Sequence, residues 1–473
     1  MEKYDLLVIG GGECGLAAAK QGATLGARVA MAEPGAVGGT CLSRGCIPKK
    51  ALVRSAYVYH LVKGAELFGI RSDVPSVNWS RVMERKDRLL RQLELEKCDS
   101  LDALSVPILR GKAKFVSPHE LLVGEQTVLA DRVVLAVGSR AAKVPISGAE
   151  LAMTSDHALA LRELPESVVI VGGGVIAMEF AHIWNRFGVR VSVVEMGERI
   201  LGTMDAQVAT ELARLSADRG IEILTNARLE QIRRADGGYS VRVQLLEKTR
   251  DIDCKAVLLA AGRVPNVDGL GLEAAGVGLE RGRVVVDRYL QTSVGSIYCG
   301  GDAIGGYCLA PVAAYEGRLA ALNALRGNTE MADYSTVAYT VFSLPPVSSV
   351  GLTESQARDA VGRVGVGILP MASVPRAVVE GETDGFIKVV TDAVTGRILG
   401  AHIVGSRSEE LIHIFSVAMK GMLTREQLAD VIPVHPSFAE GAVEATKSAG
   451  KVLDGEERCR AVRRPQFGDI TGR

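Results

Sequence analysis

The order of apolar and polar positions predicts alternating strands and helices over the first two thirds of the chain. Residues 4–10 (YDLLVIG) form an apolar strand-like run, and the Ala-rich stretch 13–25 that follows predicts a helix. The same strand–glycine–helix order recurs at residues 168–174 (VVIVGGG) and 175–188. Such alternation is typical of parallel α/β domains, and its recurrence predicts two of them.

A different pattern begins near residue 334. Strand-like segments at 386–391 and 398–404 precede a predicted helix at 409–420. This mixture predicts an α+β domain of another kind. From about residue 455 the chain is polar and rich in Arg and Gly, which predicts a flexible tail.

The first strand–helix junction carries the spacing of a dinucleotide site. Gly10, Gly12 and Gly15 form G-x-G-x-x-G, which suits a tight turn, a close backbone approach to pyrophosphate and helix–strand packing. The pyrophosphate would lie at the helix N-terminus. Glu33 ends the next strand about 20 residues on, where a carboxylate can accept ribose hydroxyls. Glycines alone could mark an ordinary turn, but this ordered set predicts a nucleotide site.

The second junction repeats the motif with Gly172, Gly174 and Ala177, and Glu195 closes the following strand. A carboxylate at this position accepts from a ribose 2′-hydroxyl and repels a 2′-phosphate, which favours NAD over NADP. Arg199, four residues further on, is the feature that argues against this choice. Without a ligand, Glu195 would simply be a solvated acid at a strand end.

Two cysteines lie close together in the segment 38–50 (GGTCLSRGCIPKK). Cys41 and Cys46 are five residues apart, a rise of about 7.5 Å on a regular helix. The α-carbons of a disulfide are only about 4.4–6.8 Å apart. A bridge therefore requires a distorted turn, which Gly45 would permit. A redox pair, a metal site and two unrelated buried cysteines remain alternatives, although no second Cys/His pair at ligand spacing supports a metal.

Composition narrows the class of protein. The 473 residues suggest about three domains, and Lys plus Arg equals Asp plus Glu at 55 each, so charge gives no reason to expect nucleic acid or a membrane as partner. We expect no signal peptide and no apolar run of about 20 residues that could span a bilayer. The eight cysteines are scattered. We therefore predict a cytoplasmic protein without a metal, in which closely spaced cysteines are catalytic rather than structural.

Several longer motifs occur in a fixed order along residues 4 to about 450. They are GGGECG at 10–15, GGTCLSRGCIP at 38–48, AVGS at 136–139, GGGVIAMEF at 172–180, AAGRVPN at 260–266, IYCGGDA at 297–303 and HPSFAE at 435–440. With them the chain resembles the pyridine nucleotide–disulfide oxidoreductases, a family that includes dihydrolipoamide dehydrogenase, glutathione reductase and mercuric reductase.

The resemblance implies an α/β fold with two Rossmann-like nucleotide-binding domains, for FAD and NAD, and a C-terminal α+β dimerisation domain. The FAD-binding domain would comprise residues 1–146 and 274–334, and the NAD-binding domain residues 147–273. Residues 335–455 would form the interface of a homodimer, and residues 456–473 the flexible tail.

The resemblance also implies the residues that hold the cofactors. For FAD these are Gly10, Gly12, Gly15, Glu33, Gly39, Thr40, Lys50, Gly138, Asp302 and Ala303. For NAD these are Gly172, Gly174, Ala177, Glu179, Glu195 and Gly262. Asp302 would hydrogen-bond to the flavin ribityl chain. Either Lys50 or its neighbour Lys49 would pair with Glu179 beside the flavin.

Catalysis in the family pattern would use four residues. Cys46 would face the flavin, and Cys41 would exchange with the substrate. His435 would reach across the dimer as the base for the partner's dithiol, with Glu440 orienting its imidazole. Outside this pattern, a lone histidine in a loop would be an ordinary structural or solvent-facing residue.

The sequence leaves the substrate open. The resemblance is closest to dihydrolipoamide dehydrogenase, which would act on a lipoyl domain or a small dithiol. Pro311 and Pro433 replace histidines that lipoamide enzymes usually carry, so a stand-alone reductase of another disulfide, a metal ion such as Hg(II) or a quinone is the alternative. A non-enzymatic flavin-bearing partner protein is a third hypothesis. Cys459 is single, and we expect the remaining cysteines to be packing residues: Cys14, Cys98, Cys254, Cys299 and Cys308.

Overall fold

The computed structural model describes residues 2–71, 73 and 75–450. The strands are β1 (Glu2–Ile9), β2 (Val29–Ala32), β3 (Ile108–Leu109), β4 (Ala113–Ser117), β5 (Glu120–Val123), β6 (Gln126–Leu135), β7 (Ser139–Ala141), β8 (Ser167–Val171), β9 (Arg190–Val194), β10 (Glu222–Leu224), β11 (Ala227–Ala235), β12 (Gly238–Leu245), β13 (Lys248–Cys254), β14 (Ala256–Leu259), β15 (Arg263–Pro265), β16 (Leu279–Glu280), β17 (Arg283–Val284), β18 (Ile297–Cys299), β19 (Ala338–Val341), β20 (Val347–Gly351), β21 (Val364–Pro370), β22 (Phe386–Asp392) and β23 (Ile398–Val404).

The α-helices are α1 (Glu13–Thr24), α2 (Gly39–Arg44), α3 (Cys46–Lys63), α4 (Trp79–Asp102), α5 (Ser155–Ala158), α6 (Val175–Arg186), α7 (Ala206–Asp218), α8 (Leu272–Ala275), α9 (Ala310–Arg326), α10 (Glu354–Val361), α11 (Pro375–Glu380), α12 (Ser408–Lys420), α13 (Arg425–Ala429) and α14 (Ala439–Ser448). In the described part of the chain, none of the helices is both long and apolar enough to cross a membrane.

The first sheet is built around β1. Parallel pairing gives the order β3-β2-β1-β6, and β18 joins the C-terminal half of β6, also in parallel. Strands β4 and β5 extend the N-terminal half of β6 as an antiparallel meander. The side chains of Leu6, Leu7 and Val8 are all fully buried, because β1 is covered on both faces. The predicted strand and helix at the first fingerprint are therefore confirmed.

The second sheet repeats this arrangement on a smaller scale. Its parallel order is β10-β9-β8-β14, and α6 packs on it from the second glycine-rich turn. A separate antiparallel sheet, β11-β12-β13, packs beside it. The short pair β7–β15 joins residues 139–141 to residues 263–265. It brings the ends of the first and second parallel sheets together, which positions the sites described below.

The third sheet is antiparallel, with the order β19-β20-β23-β22-β21, and is covered by α12 and α14. It confirms the predicted α+β region, and the fold class as a whole is confirmed. The exact domain boundaries stay a prediction. The predicted tail, residues 456–473, and Cys459 lie outside the described residues.

A buried ion cluster joins the second and third sheets. Lys388 on β22 lies 2.9 Å from both carboxylate oxygens of Asp205, the residue that caps α7, and 3.0 Å from Glu354. The Lys388 side chain is 1% exposed. Burial disfavours the charged form of Asp205, but Lys388 and His402 outweigh it and hold the pKa of this carboxyl below its usual range. The cluster therefore holds α7 against the third sheet.

Replacement of Lys388 by methionine should destabilise the protein by about 3–5 kcal/mol, because two buried carboxylates lose their shared cation. The measurement is the urea midpoint of unfolding, followed by circular dichroism. Lys420→Met is the matched control, since Lys420 forms an exposed pair with Asp333 and such pairs contribute little. Equal midpoints for the two variants would contradict a stabilising role for the cluster.

Candidate redox centre and nucleotide sites

The turn between β1 and α1 is shaped for close contact with a ligand. Gly10 has φ +108°, and a β-carbon there would lie 2.4 Å from the carbonyl oxygen of Ala136. Helix α1 begins after Gly12 with no side-chain cap, so its first amides are available to an anion. Gly39 packs so closely that its β-carbon would lie 2.6 Å from the α-carbon of Gly12. This glycine cradle fits the pyrophosphate of FAD.

The turn between β8 and α6 has the same geometry. Gly172 has φ +105°, and its β-carbon would lie 2.5 Å from the carbonyl oxygen of Ala260. Helix α6 follows Gly174 without a side-chain cap, and Ala177 is fully buried in it. Gly262, with φ +119°, follows β14 at the edge of this turn. The second cradle is therefore equally suited to a dinucleotide.

Each cradle is flanked by a carboxylate that its own glycine loop holds in place. Glu33 accepts the amide of Gly11 through Oε2 and that of Gly35 through Oε1, both at 2.7 Å. Glu195 accepts the amide of Gly173 at 2.5 Å and that of Gly197 at 2.6 Å. Both acids are thereby placed where a ribose would meet the loop.

Asp302 lies at the junction of the first and second parallel sheets. The hydroxyl of Ser139 donates to its Oδ2 at 2.5 Å, and Arg263 donates to the same hydroxyl at 2.7 Å. Ala303 beside it is fully buried, and Gly138, with φ +67°, precedes the serine. One oxygen of Asp302 is thus held by the protein.

The two cysteines meet because the helix is interrupted between them. Helix α2 ends at Arg44, Gly45 takes φ −142° and ψ −102°, and α3 begins at Cys46. A β-carbon at residue 45 would lie 2.8 Å from the carbonyl oxygen of Thr40, so the break favours glycine. Cys41 and Cys46 are free thiols in this structure, joined by a hydrogen bond. The predicted distortion at Gly45 is confirmed.

The pKa values of the two thiols are shifted in opposite directions. The hydrogen bond from Cys41, aided by the ammonium groups of Lys50 and Lys49, lowers the pKa of Cys46 to about 6 against the effect of burial. The same hydrogen bond, together with burial, raises the pKa of Cys41, because its proton is the one being shared. Cys46 is therefore the more acidic thiol of the pair.

Glu179 on α6 organises the cationic side of the cysteine pair. Lys50 donates to its Oε1 at 2.8 Å, and Lys49 lies 2.6 Å from its Oε2. The amide of Phe342 also donates to Oε1, at 3.1 Å, and Lys50 lies over the Phe342 ring. Burial opposes ionisation of Glu179, but both lysines outweigh it and hold its pKa below the usual range. The structure thus places both lysines, and not one of them, on Glu179.

His435 and Glu440 form a separate pair at the start of α14. Their side chains are joined at 2.8 Å through Nδ1 and Oε1, and the amide of Ser437 donates to the other carboxylate oxygen. The imidazole is 71% exposed. Among the described residues, no hydrogen bond or ion pair joins it to Cys41 or Cys46.

Two models of one protein family match successive parts of the chain. One family model, described as pyridine nucleotide-disulphide oxidoreductase, matches residues 4–317, more than half of the chain. A second, the dimerisation domain of the same family, matches residues 337–446. The chain is a pyridine nucleotide–disulphide oxidoreductase. The family makes FAD the flavin cofactor of this oxidoreductase.

Individual relatives span several activities. The dihydrolipoyl dehydrogenase of Bacillus subtilis (strain 168) is 34% identical, over 95% of this chain and 99% of that protein. The mercuric reductase of Bacillus cereus is 33% identical, over 93% of this chain and 70% of that protein. A copper(II) complex of the HOCl-induced flavoprotein disulfide reductase RclA from Escherichia coli has a TM-score of 0.85 and 31% identity, over 94% of this chain and 99% of that one.

Some charged side chains of the redox centre and the nucleotide sites were not predicted from the sequence motifs. Glu13 and Lys97 pair at 2.9 Å and face Cys41, and the buried Glu316 accepts the amide of Gly301. Long-range packing brings them there, so spacing could not identify them.

Among the described residues, no cluster of His, Cys, Asp or Glu could hold a metal ion. The expectation that the other cysteines are packing residues holds for the buried ones and is wrong for Cys308, which is exposed.

The acidity of Cys46 can be measured by iodoacetamide alkylation of the reduced protein. Trypsin cleaves after Arg44, so Cys41 and Cys46 fall in separate peptides for mass spectrometry. The alkylation rate of Cys46 should rise with pH with a midpoint near 6, because the thiolate is the reactive form. Cys98, whose pKa is raised by burial and by Glu94, provides an internal control at higher pH. A Cys46 midpoint near the ordinary thiol value, about 8.5, would refute the assigned acidity.

Proposed function

We propose that this oxidoreductase moves electrons between NAD(H) and a small dithiol or disulfide, with dihydrolipoamide as the first candidate. The observation that carries the proposal is the adjacent pair Cys41 and Cys46, in which the lysines on Glu179 favour the Cys46 thiolate. A structural disulfide would need no such acidic thiol. Bound FAD supplies a two-electron relay between the cysteine pair and the nicotinamide.

The difference in pKa between the two thiols assigns a role to each sulfur. In thiol–disulfide exchange the sulfur of lower pKa is the better leaving group. A substrate thiolate therefore attacks Cys41 of the oxidised pair, the Cys41–Cys46 bond breaks, and Cys46 leaves as the thiolate. The second substrate thiol then attacks its own sulfur in the mixed disulfide and releases Cys41. The substrate becomes a disulfide, the pair becomes Cys41 thiol with Cys46 thiolate, and one of the two substrate protons stays on Cys41.

The other proton requires a base, for which we propose His435. Glu440 fixes the imidazole through Nδ1, which leaves Nε2 to take the proton. We propose a homodimer in which the partner subunit's His435 faces the cysteine pair of this chain. The exposed imidazole supports this, as do the exposed apolar side chains of Ile432 and Val434 beside it and the match to a dimerisation domain. A reducing compartment that supplies NADH suits such a dithiol, so we place the enzyme in the cytoplasm.

Dihydrolipoamide is the first candidate because the similarity to a dihydrolipoyl dehydrogenase runs over nearly the whole of both chains. Reduction of another disulfide, a metal ion such as Hg(II) or a quinone is the second candidate. It is supported by the similarity to a mercuric reductase and by Pro311 in the first turn of α9.

The test is anaerobic titration of the purified flavoprotein with dihydrolipoamide. We expect rapid reduction of the cysteine pair, seen as a red charge-transfer absorbance, followed by NADH formation on addition of NAD. Cys46→Ser should lower this turnover by about a thousandfold or more, as loss of a reacting nucleophile does. Cys98→Ser, at a half-buried cysteine outside the pair, should retain activity.

Undiminished turnover in Cys46→Ser would refute the disulfide mechanism. If NADH reduces the enzyme and dihydrolipoamide does not, the disulfide mechanism stands. The substrate would then be another disulfide, a metal ion or a quinone. The two parts of the proposal are thus tested separately.

The position of Glu195 predicts a preference for NADH over NADPH in flavin reduction. Its carboxylate would repel a 2′-phosphate, so Glu195→Ser should shift the ratio of kcat/KM values toward NADPH by about tenfold, equivalent to about 1.4 kcal/mol. Glu33→Ser is the matched control at the equivalent position of the first cradle, and should weaken FAD retention without changing that ratio. A wild-type enzyme that prefers NADPH would contradict this assignment.

A further inference from the structure

A buried carboxylate that takes no part in the proposed chemistry lies beside Asp302. Glu316 is in the middle of α9 and is 4% exposed. Burial raises the pKa of this carboxyl, Asp302 adds to the rise, and hydrogen bonds from Tyr334 and Gly301 oppose it. Among the described residues, no salt bridge joins Glu316 to a lysine, arginine or histidine. A glutamate is seldom buried without such a partner, so its contacts must explain its position.

Both oxygens of Glu316 accept hydrogen bonds, from two distant parts of the chain. Oε2 accepts the amide of Gly301, the residue before Asp302, at 2.6 Å. Oε1 accepts the hydroxyl of Tyr334 at 2.8 Å. Tyr334 lies in the segment that connects α9 to β19, the first strand of the third sheet. The carboxylate therefore joins the turn that carries Asp302 to the segment that leads into the third sheet.

The turn at residues 300–302 is also confined by close packing of α1 and α9. A β-carbon at Gly300 would lie 3.0 Å from both the sulfur of Cys14 and the β-carbon of Glu316. A β-carbon at Gly317 would lie 2.0 Å from the carbonyl oxygen of Cys14, so the two helices are in backbone contact here. Helix α1 begins at the first glycine cradle. Packing thus limits where the turn can lie, and the hydrogen bond to Glu316 sets the direction of its amide.

We propose that Glu316 is a positioning residue for FAD, which holds the turn at residues 300–302 in the orientation that presents Asp302 to the cofactor. Tyr334 holds the Glu316 carboxylate in turn, and Ser139 holds Asp302 from the opposite side. The inference rests on the assignment of Asp302 to FAD. It goes beyond the proposed electron transfer, because FAD must be bound whichever substrate the enzyme uses.

The experiment follows release of FAD from the loaded enzyme after dilution, by the fluorescence of free FAD. Glu316→Leu should release FAD about tenfold faster or more, because a buried amide and a buried hydroxyl lose their acceptor. Glu316→Gln should stay within about twofold of the wild-type rate. Its amide oxygen can accept from Gly301 and its NH₂ group can donate to the Tyr334 hydroxyl, which is also an acceptor.

Two further variants complete the set. Tyr334→Phe removes only the hydroxyl and should accelerate release by about fivefold, the effect of losing one hydrogen bond. It carries the test if Glu316→Leu does not fold. Glu330→Leu is the matched control, since the Glu330 side chain is exposed and lies 3.9 Å from Arg318 in a surface pair. It should release FAD at the wild-type rate.

A second readout separates positioning from general support of the fold. Circular dichroism in the flavin absorbance region, measured with FAD in excess, reports the surroundings of the bound flavin. The spectrum should change in Glu316→Leu and in Tyr334→Phe, and it should be that of the wild type in Glu316→Gln and Glu330→Leu. A residue that only stabilised the fold would leave the flavin spectrum of the loaded enzyme unchanged.

Each outcome bears on the inference in one direction. Wild-type release from both Glu316→Leu and Tyr334→Phe would overturn it, and so would faster release with an unchanged flavin spectrum. Release from Glu316→Gln as fast as from Glu316→Leu would overturn positioning by hydrogen bonds. Faster release with an altered spectrum, both restored by glutamine, would establish it. Turnover of Cys46→Ser tests the proposed function separately, because that variant leaves the turn at residues 300–302 unchanged.

Discussion

The buried carboxylate of Glu179 is the group around which three parts of the chain are held together. It lies on α6 and receives both lysines of α3 and the amide of Phe342, which follows β19. Removing one partner of such a buried pair typically costs about 3–5 kcal/mol. The helix that begins at Cys46 is therefore fixed against the second and third sheets. This contact fixes the position of the cysteine pair, and local helix propensity contributes little to that position.

Local sequence patterns were sufficient for the elements that a backbone constraint defines. The turns at Gly10 and Gly172 leave no room for a β-carbon, so the same glycine spacing predicted the same strand–turn–helix unit twice. The break at Gly45 was predictable for a similar reason, because Cys41 and Cys46 cannot meet on a regular helix. In each case covalent geometry leaves few solutions, and the amino-acid sequence is enough to identify them.

Contacts between distant segments were not predictable in this way. Consecutive helix residues point about 100° apart, so helical spacing suggests that only one of Lys49 and Lys50 reaches a given carboxylate. Both do so because α6 packs against α3 and brings one oxygen of Glu179 to each lysine. The pair of Glu13 and Lys97 beside Cys41 also depends on how α4 packs against α1. Such contacts influence the pKa values of the two cysteines, although no sequence motif predicts them.

The two glycine cradles show that the same local geometry occurs twice in the chain. In both, the carboxylate is held by two amides of its own loop, so its orientation is set before any nucleotide binds. A carboxylate offers about four acceptor sites, and two amides leave others for ribose hydroxyls. A phosphate brings negative charge and no donor to this position, so it can only be repelled. On the proposed function, this fixed acid is the basis of selectivity at each loop, and any difference between the two sites must come from the surrounding domains.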